Sequence, residues 1–201
     1  SWLAFLDRFG LGGCLADDMG LGKTVQLIAL LQHEREKAEG KVVGPTLLVC
    51  PMSVVGNWNR ELHRFAPELV VHVHHGLERP IGEKFVETAL SSDIVVTTYA
   101  LVVRDKDSLE RVHWRRVCLD EAQHIKNPPT KQTMSIRALR TSHRIALTGT
   151  PVENRLSELW SILEFCTPGY LGTQAEFRRR FAAPIERHKD RRQAERLKNL
   201  V

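Results

Sequence analysis

Ala16-Asp-Asp-Met-Gly-Leu-Gly-Lys-Thr24 lies between a short apolar run, Gly12-Gly-Cys-Leu-Ala16, and the helical pattern that opens with Val25-Gln-Leu-Ile-Ala-Leu-Leu31. Strand, glycine turn, Lys-Thr, helix is an arrangement that holds nucleotide phosphates. Glycines at 20 and 22 let backbone N–H groups curl around an anion where side chains would obstruct. The helix that follows directs its positive end at the same point. Lys23 then reaches the β- and γ-phosphates, and the Thr24 hydroxyl is placed to hold magnesium. One position departs from the commonest form of such a loop, because Asp17 stands where a first glycine is usual.

Outward from this loop, apolar runs alternate with helical patterns. Thr46–Cys50, Val70–Val73, Asp93–Thr97, Arg116–Leu119 and Arg144–Leu147 read as short strands rich in Val, Ile and Leu. Helical stretches are expected at about 24–39, 54–65, 80–91, 99–110 and 130–139. This alternation predicts an α/β fold with a mostly parallel sheet covered by helices, its chemistry gathered beyond the carboxyl ends of the strands. After Pro151 the pattern becomes helical: 156–165, then 173–181 beyond the break at Thr167-Pro-Gly169, then a charged stretch at 185–200.

Two further motifs leave strand ends. Arg116-Val-Cys-Leu-Asp-Glu-Ala-Gln123 puts adjacent carboxylates directly after an apolar strand. Asp120 can enter a magnesium shell, and Glu121 can orient and deprotonate an attacking water. Leu147-Thr-Gly-Thr-Pro-Val-Glu-Asn154 brings two hydroxyls around a glycine, suited to a γ-phosphate or to the neighbouring acids.

These three motifs, in this order and spacing, resemble the Swi/Snf-type ATPases, the double-stranded-DNA translocases of helicase superfamily two. Val49-Cys-Pro-Met-Ser-Val-Val-Gly-Asn-Trp58, Asp93-Ile-Val-Val-Thr-Thr-Tyr99 and His124-Ile-Lys-Asn-Pro128 extend the resemblance over residues 1 to about 170. It implies a RecA-like P-loop domain at 1–166, the first motor lobe. Residues 167–201 then form a helical, basic segment leading toward a second lobe. It also implies ATP and Mg2+ as cofactors, with the run Asp18, Met19, Gly20, Leu21, Gly22, Lys23 and Thr24 around the nucleotide. Lys23, Asp120, Glu121 and Gln123 take the catalytic positions, with Thr24 and Asp120 toward the metal. Gln123, Thr148, Gly149 and Thr150 are implied to couple nucleotide state to grip on DNA. Ser53, Thr98 and Tyr99 correspond to loops that contact phosphates of the tracked strand, a task that positions without reading sequence.

The implied partners are duplex DNA, a second RecA-like lobe of the same protein and a protein substrate on the DNA, in the cytoplasm at a bacterial or archaeal nucleoid or in a eukaryotic nucleus. A strand-separating helicase and a nucleotide-dependent switch are the competing functions. Many members have histidine at the position of Gln123. The adenine-recognising segment would precede Ser1 and the arginine-bearing second lobe would follow Val201. These 201 residues alone are therefore expected to turn over little ATP.

The remaining features bound the reading. No apolar run approaches a membrane span. The cysteines at 14, 50, 118 and 166 show no paired spacing, which suits a reducing compartment. The net charge of +5 comes from residues 171–201, which carry nine basic against four acidic side chains, so any basic footprint lies there or in local patches. Arg178-Arg-Arg180 and Arg187–Arg192 fit either DNA phosphates or a solvated charged helix. His72 and His74 share a strand face without a third ligand, and read as a satisfied pair rather than a metal site. Trp58 is either a stacking residue or core, and an aromatic on an amphipathic helix is ordinarily core.

Overall fold

The computed structural model describes residues 2–17, 22–39, 41–152 and 154–201. Helix α1 (Trp2–Arg8) leads into β1 (Gly13–Leu15), α2 (Lys23–Lys37), β2 (Thr46–Cys50), a 3-10 turn (Met52–Val54) and α3 (Val55–Phe65). The chain continues through β3 (Val71–Val73), α4 (Gly82–Leu90), β4 (Ile94–Thr98), α5 (Tyr99–Arg104), α6 (Lys106–Leu109) and β5 (Trp114–Leu119). A 3-10 turn at Ala122–Ile125, α7 (Lys131–Ala138), β6 (Thr141–Leu147) and α8 (Leu156–Cys166) complete the α/β part.

The strands form one sheet in the order β1-β6-β5-β2-β4-β3, with every neighbouring pair parallel. Strands buried on both faces read as continuous apolar runs, and all five residues of both β2 and β4 are buried. One face packs Phe85, Val102, Trp114, Ile136, Ile162 and Phe165 from α4 to α8 and strand β5. The other packs Leu27, Ile28, Leu31, Trp58 and Leu62 from α2 and α3. Burial pushes the thiols of Cys50 and Cys118 up to about 12, so they behave as small core hydrophobes.

The expected helix at 99–110 is two helices. Asp105 interrupts it, and its carboxylate accepts from Arg79 Nε and Nη2 (2.6 and 2.9 Å) and hydrogen-bonds His74 Nε2 (2.9 Å). The reach of Arg79 from the loop before α4 thus overrides local helical propensity. Strand β6 starts three residues earlier than expected, and β5 two residues earlier, because Trp114 pairs with Thr141 at the far end of the ladder.

Arg116, within β5, is fully buried. Its guanidinium donates to both Glu34 oxygens on α2 (2.8 and 3.1 Å) and through Nε to His143 Nδ1 on β6 (3.1 Å). Asp7 on α1 lies 3.3 Å from the same group. A buried charge is tolerated here because every direction of the guanidinium has a partner. This network fastens α1 and α2 to the sheet at the end away from the phosphate loop.

Beyond α8, the expected helix 173–181 is α9 (Gln174–Phe177) followed by a π turn (Arg178–Ala182). A capping box starts α9: Thr173 Oγ1 accepts from Glu176 N–H, and Glu176 accepts from Thr173 N–H. The expected continuous helix at 185–200 is broken into α10 (Ala183–His188) and α11 (Arg191–Lys198). Lys189 there adopts the left-handed region (φ 54°), and the Asp190 side chain caps α11 through Gln193 N–H. These helices close around Trp160, Leu171, Phe177, Phe181 and Leu197. Trp160 comes from α8, which also gives Ile162 and Phe165 to the sheet face, so a single helix belongs to both clusters.

Candidate active site

Strand order along the carboxyl edge of the sheet determines which loops meet. Leu15 of β1 pairs with Leu147 of β6, and Ala146 of β6 pairs with Leu119 of β5. The phosphate loop, Thr148 and Asp120 therefore leave the sheet side by side. On the other side of β5, Cys50 of β2 pairs with Thr98 of β4, which sets the Ser53 turn beside Thr98-Tyr99.

In the phosphate loop, Asp18, Met19, Gly20 and Leu21 lie outside the described residues. Gly22 caps α2 with φ 79° and ψ 25°, a conformation that only glycine adopts without penalty, although a Cβ there would meet no atom. Lys23 opens α2 and its ammonium donates to the Asp17 carbonyl at 2.6 Å. Thr24 follows it on the same first turn.

Asp120 is half-buried and both its carboxylate oxygens are engaged. Oδ2 accepts from the Trp58 indole Nε1 at 2.7 Å, and Oδ1 accepts from Glu121 N–H at 3.0 Å. Burial raises the carboxyl above its usual range; the Glu121 charge adds to this, while the Trp58 hydrogen bond and the Lys23 ammonium oppose it. Two hard oxygen ligands beside a lysine suit a magnesium–nucleotide complex: the Asp120 carboxylate and the Thr24 hydroxyl.

Glu121 sits at φ 50°, ψ 56°, the left-handed region that a non-glycine residue enters at a cost of about 1–2 kcal/mol. Its surroundings hold it there. Its carbonyl accepts from His124 N–H (3.0 Å) and its Oε2 accepts from Gln123 Nε2 (2.6 Å). Gln123 Oε1 in turn accepts from Thr148 Oγ1 (2.8 Å), and Thr148 Oγ1 accepts from Thr150 N–H (3.1 Å). A single hydrogen-bonded line thus runs from Glu121 through Gln123 to Thr148 and Thr150, spanning the loops after β5 and β6. Gly149 joins the two threonines and is half-buried.

The three residues read as DNA contacts divide. Ser53 is exposed on its 3-10 turn. Thr98 and Tyr99 are buried: the Thr98 hydroxyl caps α5 by accepting from Leu101 N–H (3.4 Å), and the Tyr99 hydroxyl donates to the Asp120 carbonyl (2.8 Å). Burial and the nearby acids raise the Tyr99 hydroxyl well above its ordinary value, so it remains a donor. The Tyr99 ring stacks on His124 with centroids 4.8 Å apart.

Trp58 is core, 2% exposed, and yet its polar edge belongs to the site. Its signal in the sequence is that a buried indole N–H requires an acceptor. His74 directly follows β3, and its ring is taken up by Asp105 and Phe85.

The chain matches the SNF2-related domain over residues 1–201. It belongs to the SNF2-related domain family. A putative ATP-dependent helicase/translocase, YwqA of Bacillus subtilis, is 49% identical over 201 residues, all of this chain and 22% of that protein. The human chromatin-remodeling ATPase INO80 is 38% identical over 202 residues, covering 96% of this chain and 13% of its own. The Sulfolobus solfataricus SWI2/SNF2 ATPase core in complex with dsDNA superposes with a TM-score of 0.87 at 43% identity, over all of this chain and 40% of that one. This SNF2-related domain therefore has the RecA-like fold of the N-terminal motor half of an SNF2 ATPase core, and spans about a fifth of the Bacillus relative. Among its described residues no helix is long and apolar enough to cross a membrane.

Proposed function

We propose that this chain is the ATP- and magnesium-binding half of a DNA-dependent ATPase that translocates on duplex DNA and remodels protein–DNA complexes. The observation that carries the reading is the line Glu121–Gln123–Thr148, which ties the residue suited to activating water to the neighbouring motif. In a site that only held a nucleotide, that carboxylate would need no such tether.

Lys23 holds the phosphates, with Asp18 to Thr24 around them. Thr24 and Asp120 supply oxygen ligands for magnesium. When bound, magnesium-ATP supplies an electrophilic γ-phosphoryl group. Glu121, oriented by Gln123, positions the attacking water and takes its proton. Gln123, Thr148, Gly149 and Thr150 sense whether that water and phosphate are in place. The exposed Ser53 offers a short donor to DNA phosphates, while Thr98 and Tyr99 shape the adjoining loop from within. Residues 167–201 lead toward a second RecA-like lobe, whose arginines complete the charge stabilisation. The dsDNA in the Sulfolobus complex supports duplex DNA as the partner, and the relatives' names support an ATP-driven translocase or remodeller.

The test is ATP turnover by the intact protein with duplex DNA, single-stranded DNA, RNA or no nucleic acid. Glu121→Gln serves as the blank, expected to bind nucleotide while losing about 10²-fold or more of its turnover. Stimulation by duplex upholds the proposal. A preference for single strands or RNA replaces it with a strand-separating helicase, and indifference to all nucleic acid replaces it with a nucleotide switch.

A further inference from the structure

Asp120 is held from three sides by hydrogen bonds, and two of them come from the elements that follow the Ser53 and Thr98 loops. Trp58 lies one turn into α3, which continues directly from the 3-10 turn carrying Ser53. Its indole N–H reaches Asp120 Oδ2 at 2.7 Å. Tyr99 is the first residue of α5, immediately after its cap Thr98, and its hydroxyl donates to the Asp120 carbonyl at 2.8 Å. Both aromatic bodies are packed in the core, Trp58 against the α2–α3 face and Tyr99 against the opposite one. A large ring locked in packing makes a rigid strut, and its polar edge then has little freedom to follow any other partner.

We propose that Trp58 is the positioning residue for Asp120 as a magnesium ligand, assisted by Tyr99. The Trp58 N–H fixes the carboxylate rotamer by engaging Oδ2, and the Glu121 N–H takes Oδ1. The lone pairs still available on both oxygens then have set directions. A bidentate swing of Asp120 is suppressed, and the metal meets a pre-oriented ligand.

The experiment measures ADP binding to the intact protein by calorimetry, with and without magnesium, for wild type, Trp58→Phe and Tyr99→Phe. Trp58→Phe keeps an aromatic body in the core and removes the N–H. The expected result is unchanged affinity for ADP alone and a magnesium-dependent gain reduced about tenfold, the scale of one hydrogen bond to a charged group. Tyr99→Phe shifts the same gain in the same direction by less. Protein labelled with 5-fluorotryptophan adds a signature independent of turnover. The fluorine signal missing from Trp58→Phe shifts when magnesium is added to the ADP complex and not when ADP is added alone.

A purely structural Trp58 would lower the melting temperature and leave the magnesium gain intact, which overturns the proposal. If Trp58→Phe does not fold, Tyr99→Phe decides: a magnesium gain unchanged in that variant also overturns the proposal. A magnesium gain lost in Trp58→Phe while wild-type turnover ignores duplex DNA upholds the positioning role and overturns only the DNA reading.

Discussion

Gln123 illustrates what a single side chain does in this site. An amide has a donor at one end and an acceptor at the other, so one residue can hold the Glu121 carboxylate and receive the Thr148 hydroxyl. An imidazole at the same place would offer its two nitrogens to similar partners, which is why glutamine and histidine are chemically exchangeable there. If the three residues act as a unit, their removal is not additive. Gln123→Ala and Thr148→Val should each lower turnover, and the double variant should be little worse than either, with a coupling of about 1 kcal/mol in a double-mutant cycle. Strictly additive losses would mean that the line is incidental. Glu121 shows the complementary case, a residue held in a left-handed conformation by its neighbours, which no reading of propensity anticipates.

At the scale of elements, the position of the phosphate loop depends on β1, a strand of only three residues at the sheet edge. It is clamped from outside by the carboxyl end of α8. A Cβ on Gly12 would lie 1.8 Å from the Cys166 carbonyl oxygen and 2.9 Å from that of Arg144, and both obstacles are backbone. Cys166 also donates its thiol to the Gly13 carbonyl at 3.3 Å. Gly12→Ala is therefore expected to cost about 3 kcal/mol or more, beyond ordinary overpacking, because neither carbonyl can move without unravelling α8 or β6. Urea unfolding measures this directly, and a variant as stable as wild type would show that α8 is free to shift. The apolar run Gly12–Ala16 was legible as a strand from composition; its place at the sheet edge, with Cys14 and Leu15 only half-buried, was not. That Gly12 exists to admit α8 was not, since the partner lies more than 150 residues away.

For the whole molecule, the buried His74 and His143 and the half-buried His72 link stability to pH. Burial lowers the pKa of His72, His74 and His143 from the ordinary 6.5. For His74, Asp105 only partly offsets this; for His143, the Arg116 charge acts with burial and Asp7 opposes. His143 Nδ1 accepts from Arg116 while Nε2 faces the Leu11 carbonyl at 2.8 Å, so the neutral ring protonated at Nε2 fits both contacts. A group whose folded pKa lies below its unfolded value binds more protons when unfolded, so its contribution is complete above 6.5 and is lost as pH falls through the folded value. The melting temperature should hold from pH 8 to about 6.5 and decline below it, and His143→Gln should flatten part of that decline. A melting temperature constant down to pH 5 would contradict the linkage.

Local sequence determined the strands, most of the helices and the three motifs, because apolar periodicity, glycine turns and adjacent acids act over a few residues; the break at Asp105 came from Arg79 and His74 instead. Gly22, Lys23, Thr24, Asp120, Glu121 and the Thr148-Gly149-Thr150 turn could be named from such short-range patterns. The tertiary structure alone decided that β6 inserts between β1 and β5, which puts Thr148 within reach of Gln123. It alone joined Trp58 to Asp120 across 62 positions, and Arg116 to Glu34 across 82. Sequence fixes what each side chain can donate or accept; only packing selects the partner, because a buried polar group must be paired by whatever the fold brings beside it.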